Sequence, residues 1–200
     1  MDYGILLMAW ILSLFFARFG LHYSLGFLYV ASQVTDWQQF AALAVLLVVG
    51  ALWRELAKSV GLDMVDANLI GVSVPHSLLR PGDAVMQRTI ARIERDLHVP
   101  ASGLHRHLDD VYYGGGVWVL LALWLAWYYI EAGDRTRARG LVTWAECQAD
   151  AKGNLPEQVN SAMLAPGFYG EWVKRRGPIA QPLLWSHAEY LIVCQAWAGV

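Results

Sequence analysis

Apolar residues recur at helical spacing along most of the chain. Between Asp83 and Pro100 the apolar positions step by three or four residues, at Met86, Ile90, Ile93 and Leu97. This spacing predicts an amphipathic helix that packs one face inward. Residues 117–131 are apolar on nearly every side, which predicts a helix buried all round.

The same pattern predicts helices packed in antiparallel pairs. A short turn at 132–134 sends the chain back through residues 135–149, which predicts an αα-hairpin. A long helix is predicted from Asp36 to Gly61, and a last one from Ser186, whose Ser-x-x-Glu spacing to Glu189 predicts a capping box. No stretch alternates as a strand would. The prediction is an all-α toroid of helical hairpins whose loops converge at one end.

Two apolar runs near the start, Tyr3 to Ala17 and Phe40 to Trp53, test whether the chain is anchored in a membrane. They count 15 and 14 residues, whereas a spanning helix needs about 18 to 20. Helices of a protein core are therefore the favoured interpretation. The acidic Asp2 does not fit a signal peptide. A membrane hairpin through residues 3–53 remains the alternative.

Composition and charge exclude several classes of function. The chain is 56% hydrophobic and 16% charged, which argues against disorder. A net charge of −2 without clustered Lys and Arg excludes nucleic-acid binding. The two cysteines, Cys147 and Cys194, form neither a disulfide framework nor a metal-binding spacing. They fit a reducing compartment, so we expect a cytoplasmic protein without a cofactor.

Candidate chemistry lies in the predicted loops at 103–116, 153–158 and 167–185. Glu157 follows a proline between two helices, where a restricted backbone can hold its carboxylate toward a cavity and let it activate water. On that segment alone, a solvated glutamate is the more common structure. The loops therefore matter as a group rather than one by one.

The run from His105 to Trp118 changes that balance, because it crowds a guanidinium, carboxylates, phenols and an indole around three glycines. Sugar hydroxyls need paired donors and acceptors such as Arg106 and Asp110. The C–H face of a pyranose packs on aromatic planes such as Trp118 or Trp185. His105 and His107 lack a third ligand at metal spacing, so no metal site is predicted.

Three ordered motifs carry a family resemblance: residues 103–118, Leu155-Pro156-Glu157-Gln158, and residues 182–190 with the sequence PLLWSHAEY. They resemble the C-terminal part of the catalytic domain of glycoside hydrolase family 15, the glucoamylase and bacterial isomaltose glucohydrolase type. The resemblance implies one partial catalytic domain over 1–200. Residues 63–200 match best, and 1–62 form a diverged apolar helical segment.

The resemblance also implies a fold and a chemistry. The fold is an (α/α)6 barrel, of which the chain lacks the N-terminal half. The activity is exo-acting, inverting hydrolysis of an α-glucoside with release of glucose, and the partner is a glucose-terminated oligosaccharide. Glu157 is the general base. The implied sugar-binding residues are Arg106, Asp110, Tyr113, Trp118 and Trp185.

An inverting enzyme also needs a protonated carboxyl about 6.5–9.5 Å from the base. The family carries it before a segment matched here by Arg18, Gly20 and His22, which places the general acid at Phe16 and its acidic neighbour at Ala17. Neither side chain can donate a proton. General acid catalysis is worth about 10²–10⁴ in rate, so we expect weak or absent hydrolysis.

Two further hypotheses follow from these losses. One is a noncatalytic sugar-binding or partner-dependent remnant, and the other is a membrane-anchored helical protein. A partial barrel leaves apolar faces uncovered, which predicts self-association or a partner that supplies the missing half. The sequence does not decide between α-1,4, α-1,6 and trehalose linkages.

Overall fold

The computed structural model describes residues 56–59 and 63–199, which lie in one compact unit, Glu55–Val200. This part of the chain holds α1 (Ala84–Leu97), α2 (Val119–Glu131), α3 (Arg135–Glu146), α4 (Tyr169–Arg176) and α5 (Leu184–Ala198). Two strands of two residues, β1 (Val117–Trp118) and β2 (Gln158–Val159), pair antiparallel. The prediction of an all-α protein is confirmed, and the small strand pair is the addition.

Helix α2 is the centre of the core, packed against α3 and α5. Ten of its thirteen residues are buried, as expected of a helix that is apolar all round. Helix α1 buries the predicted face, Met86, Ile90, Ile93 and Leu97. Both predictions from hydrophobic spacing are therefore confirmed.

The predicted hairpin joins α2 to α3 through the turn at 132–134. Asp134 caps α3, because its Oδ1 accepts a hydrogen bond from the backbone N–H of Arg137 at 3.1 Å. Helix α3 ends at Glu146, three residues before the predicted end at 149. The Gln148 amide donates to the Trp144 carbonyl at 2.9 Å, which satisfies one acceptor of the last turn.

Two predicted helix ends are wrong. Leu56–Ser59 is not helical, because the Leu56 N–H donates to Thr89 Oγ1 at 2.8 Å instead of to its own helix. Helix α5 begins at Leu184, and its third residue, Ser186, donates to the Pro156 carbonyl at 2.9 Å. Ser186 therefore fixes a loop and forms no capping box.

Glu189 lies inside α5 with 4% of its surface exposed. Neither its Oε1 nor the neighbouring Trp124 Nε1 has a hydrogen-bond partner among the described residues. Burial raises the pKa of Glu189. The carboxylate is thus costly to ionise in the folded protein.

Glu189→Gln should make the stability of the protein less dependent on pH. The folded pKa of Glu189 is raised above its unfolded value. Protonated Glu189 therefore contributes to the stability of the parent in full below the unfolded pKa, and this contribution is lost as pH rises through the folded pKa. Urea unfolding should show the variant more stable than the parent at about pH 8, with the difference vanishing near about pH 4. The exposed control Glu171→Gln on α4 should show no such trend. A pH-independent difference for Glu189→Gln would refute the assignment.

The membrane question concerns two parts of the chain. Across residues 56–59 and 63–199, no helix has the length and hydropathy needed to cross a bilayer. The apolar runs Tyr3–Ala17 and Phe40–Trp53 lie outside the described residues.

Candidate active site

A tight turn builds the centre of the site. Tyr113, Gly114 and Gly115 all have positive φ, at 47°, 79° and 68°. A Cβ on Gly115 would collide with the carbonyl oxygen of Asp110. Glycine is therefore required where the turn folds back on Asp110, since other residues resist both this φ and this close approach.

Asp110 lies under this turn with 1% of its surface exposed. Its Oδ1 accepts hydrogen bonds from Arg106 Nη2 at 2.7 Å and from the Tyr112 backbone N–H at 2.9 Å. Its Oδ2 accepts from Trp118 Nε1 at 3.3 Å. A buried carboxylate with three donors is a strong organiser, because it fixes one guanidinium, one indole and one backbone segment at once.

Glu157 lies beside the same turn, although it is distant from Asp110 in the sequence. It directly precedes β2, and its carbonyl accepts from the Val119 N–H at 3.2 Å while its own N–H donates to the Ala180 carbonyl at 2.9 Å. These bonds hold the Glu157 backbone between the start of α2 and the loop before α5. The loops at 153–158 and 167–185 therefore meet beside the start of α2, in agreement with the prediction that the loops converge at one end.

Glu157 is half-buried. The Tyr112 hydroxyl donates to Glu157 Oε2 at 3.3 Å. Burial raises the pKa of Glu157, while the Tyr112 hydrogen bond and the positive charge of Arg106 lower it and the charge of Asp110 raises it further. Burial and the Glu157 charge also raise the pKa of Tyr112, which keeps its hydroxyl a donor.

Aromatic rings enclose the charged groups. Tyr112 is stacked with Trp118 at 5.9 Å between ring centroids and meets the edge of Trp172 at 4.9 Å. The Arg106 guanidinium lies 5.0 Å from the centroid of Trp118. Arg106 Nε is buried without a hydrogen-bond partner among the described residues, while the side chain as a whole is 30% exposed. The cluster thus combines aromatic surface, a carboxylate acceptor and a partly exposed guanidinium, which are groups that a sugar site requires.

Comparison with known proteins identifies relatives with a related chemistry. No family model matches the chain. An isomaltose glucohydrolase of Kribbella flavida is 45% identical over 144 residues, which are 72% of this chain and 37% of that protein. A glycosidase variant solved in complex with glucose is 37% identical with a TM-score of 0.69, over 84% of this chain and 47% of the other.

A bacterial glucoamylase complexed with acarbose is 25% identical with a TM-score of 0.53, over 66% of this chain and 20% of the other. The chain belongs to the glucoamylase-like glycoside hydrolases of family 15. It spans less than half the length of each relative. Its helices are part of the (α/α)6 barrel of that family, as the sequence motifs implied.

Four of the family residues expected from the motifs lie together in the structure. Glu157, Arg106, Asp110 and Trp118 share the cluster around Tyr112, linked by the contacts described above. The sequence did not single out Tyr112, although it is the residue that contacts Glu157. The only available signal was the Tyr112-Tyr113 pair, which does not show which ring faces the base.

Tyr113 borders this cluster, because its ring meets the Tyr112 ring edge-on with 4.8 Å between the centroids, whereas Trp185 packs on Trp124. The Tyr113 side chain is buried and its hydroxyl donates to the Gly177 carbonyl at 2.9 Å. Trp185 is 54% exposed. Its ring packs edge-on against Trp124, with 6.1 Å between the ring centroids. For neither residue does the described part of the chain show a bond to Glu157 or Arg106. Their predicted contact with sugar stays a prediction.

The position expected for the general acid of a family 15 enzyme, Phe16 with Ala17 beside it, lies outside the described residues. His105, in contrast, has a clear structural role. Its Nδ1 lies 3.1 Å from the Gly115 carbonyl oxygen, so the ring donates to the glycine turn. This contact explains one of the two histidines without a metal.

Proposed function

We propose that the Glu157 cluster binds the terminal glucose of an α-glucoside and that Glu157 is the general base of an inverting hydrolysis. One observation carries the proposal. The half-buried Glu157 carboxylate accepts a hydrogen bond from the Tyr112 hydroxyl at 3.3 Å, close to the Arg106 guanidinium, which stacks on Trp118. In this arrangement Arg106 and Trp118 orient the sugar. Asp110 contributes by fixing those two side chains, because its own oxygens are used within the protein.

The base must be ionised to accept a proton from water. Burial raises the pKa of Glu157, and Tyr112 and Arg106 counteract that effect. The active form of the base should therefore increase as pH rises above the ordinary range of a glutamate. An inverting reaction leaves room for one water between the base and the sugar.

Sugar binding without turnover is the second candidate function. The observation that favours it is the apolar pair Phe16-Ala17 at the position where family members carry the acid. Without a proton donor, the leaving alkoxide is poor and hydrolysis slows by about 10²–10⁴. Both candidates require the same glucose site, so binding is the first property to test.

Titration calorimetry with glucose and isomaltose tests this site. Arg106→Lys keeps the positive charge but loses the planar fork, so affinity should fall at least about tenfold. The matched control is Arg88→Lys, an exposed residue of α1, which should bind as the parent does. No binding by the folded parent, or equal affinity of both variants, would refute the proposal.

We also propose an assembly and a cellular location for the protein. Helix α5 carries the exposed residues Leu184, Trp185 and Leu191, an apolar face that favours self-association or a partner completing the barrel. A cytoplasmic location is proposed from Cys147 and Cys194, which are both exposed and unpaired.

A further inference from the structure

We propose that Gln158 is a positioning residue that holds the Tyr112 hydroxyl on Glu157. The inference rests on the proposed role of Glu157 as a base. Gln158 follows Glu157 directly and is 1% exposed. It does not contact the substrate in this proposal; it acts through the backbone of the neighbouring turn.

The two ends of the Gln158 amide bind two different parts of that turn. Its Oε1 accepts from the Gly116 N–H at 2.9 Å. Its Nε2 donates to the Tyr112 carbonyl at 3.3 Å. One side chain thereby bridges both ends of the turn that contains Tyr113, Gly114 and Gly115. A primary amide suits this bridge, because it supplies an acceptor and a donor on neighbouring atoms without charge.

The Gln158 amide is packed closely against Gly116. A Cβ on Gly116 would lie 2.7 Å from Gln158 Oε1 and would collide with the carbonyl oxygen of Val159. The backbone of Gln158 is itself paired with Trp118 across β1 and β2. The close approach fixes the distance between the strand that follows Glu157 and the turn that carries Tyr112.

The turn is held from its other side as well. His105 Nδ1 donates to the Gly115 carbonyl at 3.1 Å, but His105 is distant in sequence from the base. Gln158 differs because its backbone is continuous with Glu157. Loss of its amide would release Tyr112 from Glu157 while leaving the His105 contact in place.

The test measures the pKa of Glu157 directly, without sugar. Carboxyl ¹³C resonances are titrated in the parent and in Gln158→Met, and the Glu157 signal is assigned by its loss in Glu157→Gln. Within residues 56–59 and 63–199, the charged or titratable groups that act on Glu157 are Arg106, Asp110 and Tyr112, and the methionine changes none of these charges. Because the Tyr112 hydrogen bond lowers the pKa of Glu157, the titration midpoint should rise in Gln158→Met.

A double-mutant cycle distinguishes positioning from packing. Tyr112→Phe should raise the midpoint in the same direction, and adding Gln158→Met to it should produce no further rise. The matched control is Gln148→Met, since Gln148 also donates its amide to a backbone carbonyl but lies at the end of α3. It should leave the Glu157 midpoint unchanged.

Gln158→Asn keeps an amide on a shorter stem and provides the same test if the methionine variant does not fold. A folded variant with an unchanged Glu157 midpoint would overturn the proposal. So would an equal rise in the parent and Tyr112→Phe backgrounds. Failure of the proposed function is separate, because it appears as absent glucose binding while this titration is done without glucose.

Discussion

Phe16→Glu combined with Ala17→Glu should raise the release of glucose from maltose or isomaltose by about 10²–10⁴-fold. The size follows from the general contribution of an acid that protonates a leaving oxygen. The two positions lie outside the described residues, so their placement rests on the order of Arg18, Gly20 and His22 in the sequence. Glucose is measured with a coupled enzymatic assay on the purified chain.

Two further variants make the result specific. Adding Glu157→Gln to the double variant should remove the gained activity, because the reaction then has an acid but no base. Phe16→Gln with Ala17→Gln, which adds polarity without an acid, should gain nothing. Unchanged glucose release by a folded, glucose-binding double variant would contradict the placement of the acid.

Asp110→Ala should lower the free energy of unfolding by about 3 kcal/mol. The change leaves the Arg106 guanidinium, the Trp118 indole N–H and the Tyr112 backbone N–H without their common acceptor. Arg106 is partly exposed and can recover some hydration, which keeps the loss below that of a fully buried pair. Urea unfolding followed by far-UV circular dichroism measures it.

Asp109→Ala is the neighbouring control. Asp109 is exposed and pairs with Lys58 at 2.8 Å, and surface pairs contribute little to stability. Glucose binding should be lost in Asp110→Ala and kept in Asp109→Ala. If both substitutions destabilise the protein equally, Asp110 does not organise the cluster.

The sequence predicts the helices that bury a regular face and misplaces the ends that depend on tertiary contacts. Helices α1 and α2 follow from hydrophobic spacing alone. The end near Leu56 depends on Thr89 Oγ1, and the role of Ser186 depends on the Pro156 carbonyl. Both partners are distant in sequence, so no local pattern could indicate them.

The site divides in the same way. The sequence motifs predict that Glu157, Arg106, Asp110 and Trp118 belong to one site, because residues 103–118 and 155–158 have distinctive residue types and a distinctive order. Which tyrosine donates to Glu157 depends on the backbone of the turn, where Tyr113 has positive φ, and no sequence pattern indicates that conformation. The bridging role of Gln158 likewise becomes visible only when β1 and β2 pair.

The most direct test of the account is a crystal structure of the chain with glucose bound. We predict glucose beside the Arg106 guanidinium, which packs on Trp118, with the Glu157 carboxylate facing the anomeric carbon across the space of one water. Glucose bound elsewhere, or a Glu157 carboxylate turned away from a sugar in this cluster, would contradict it.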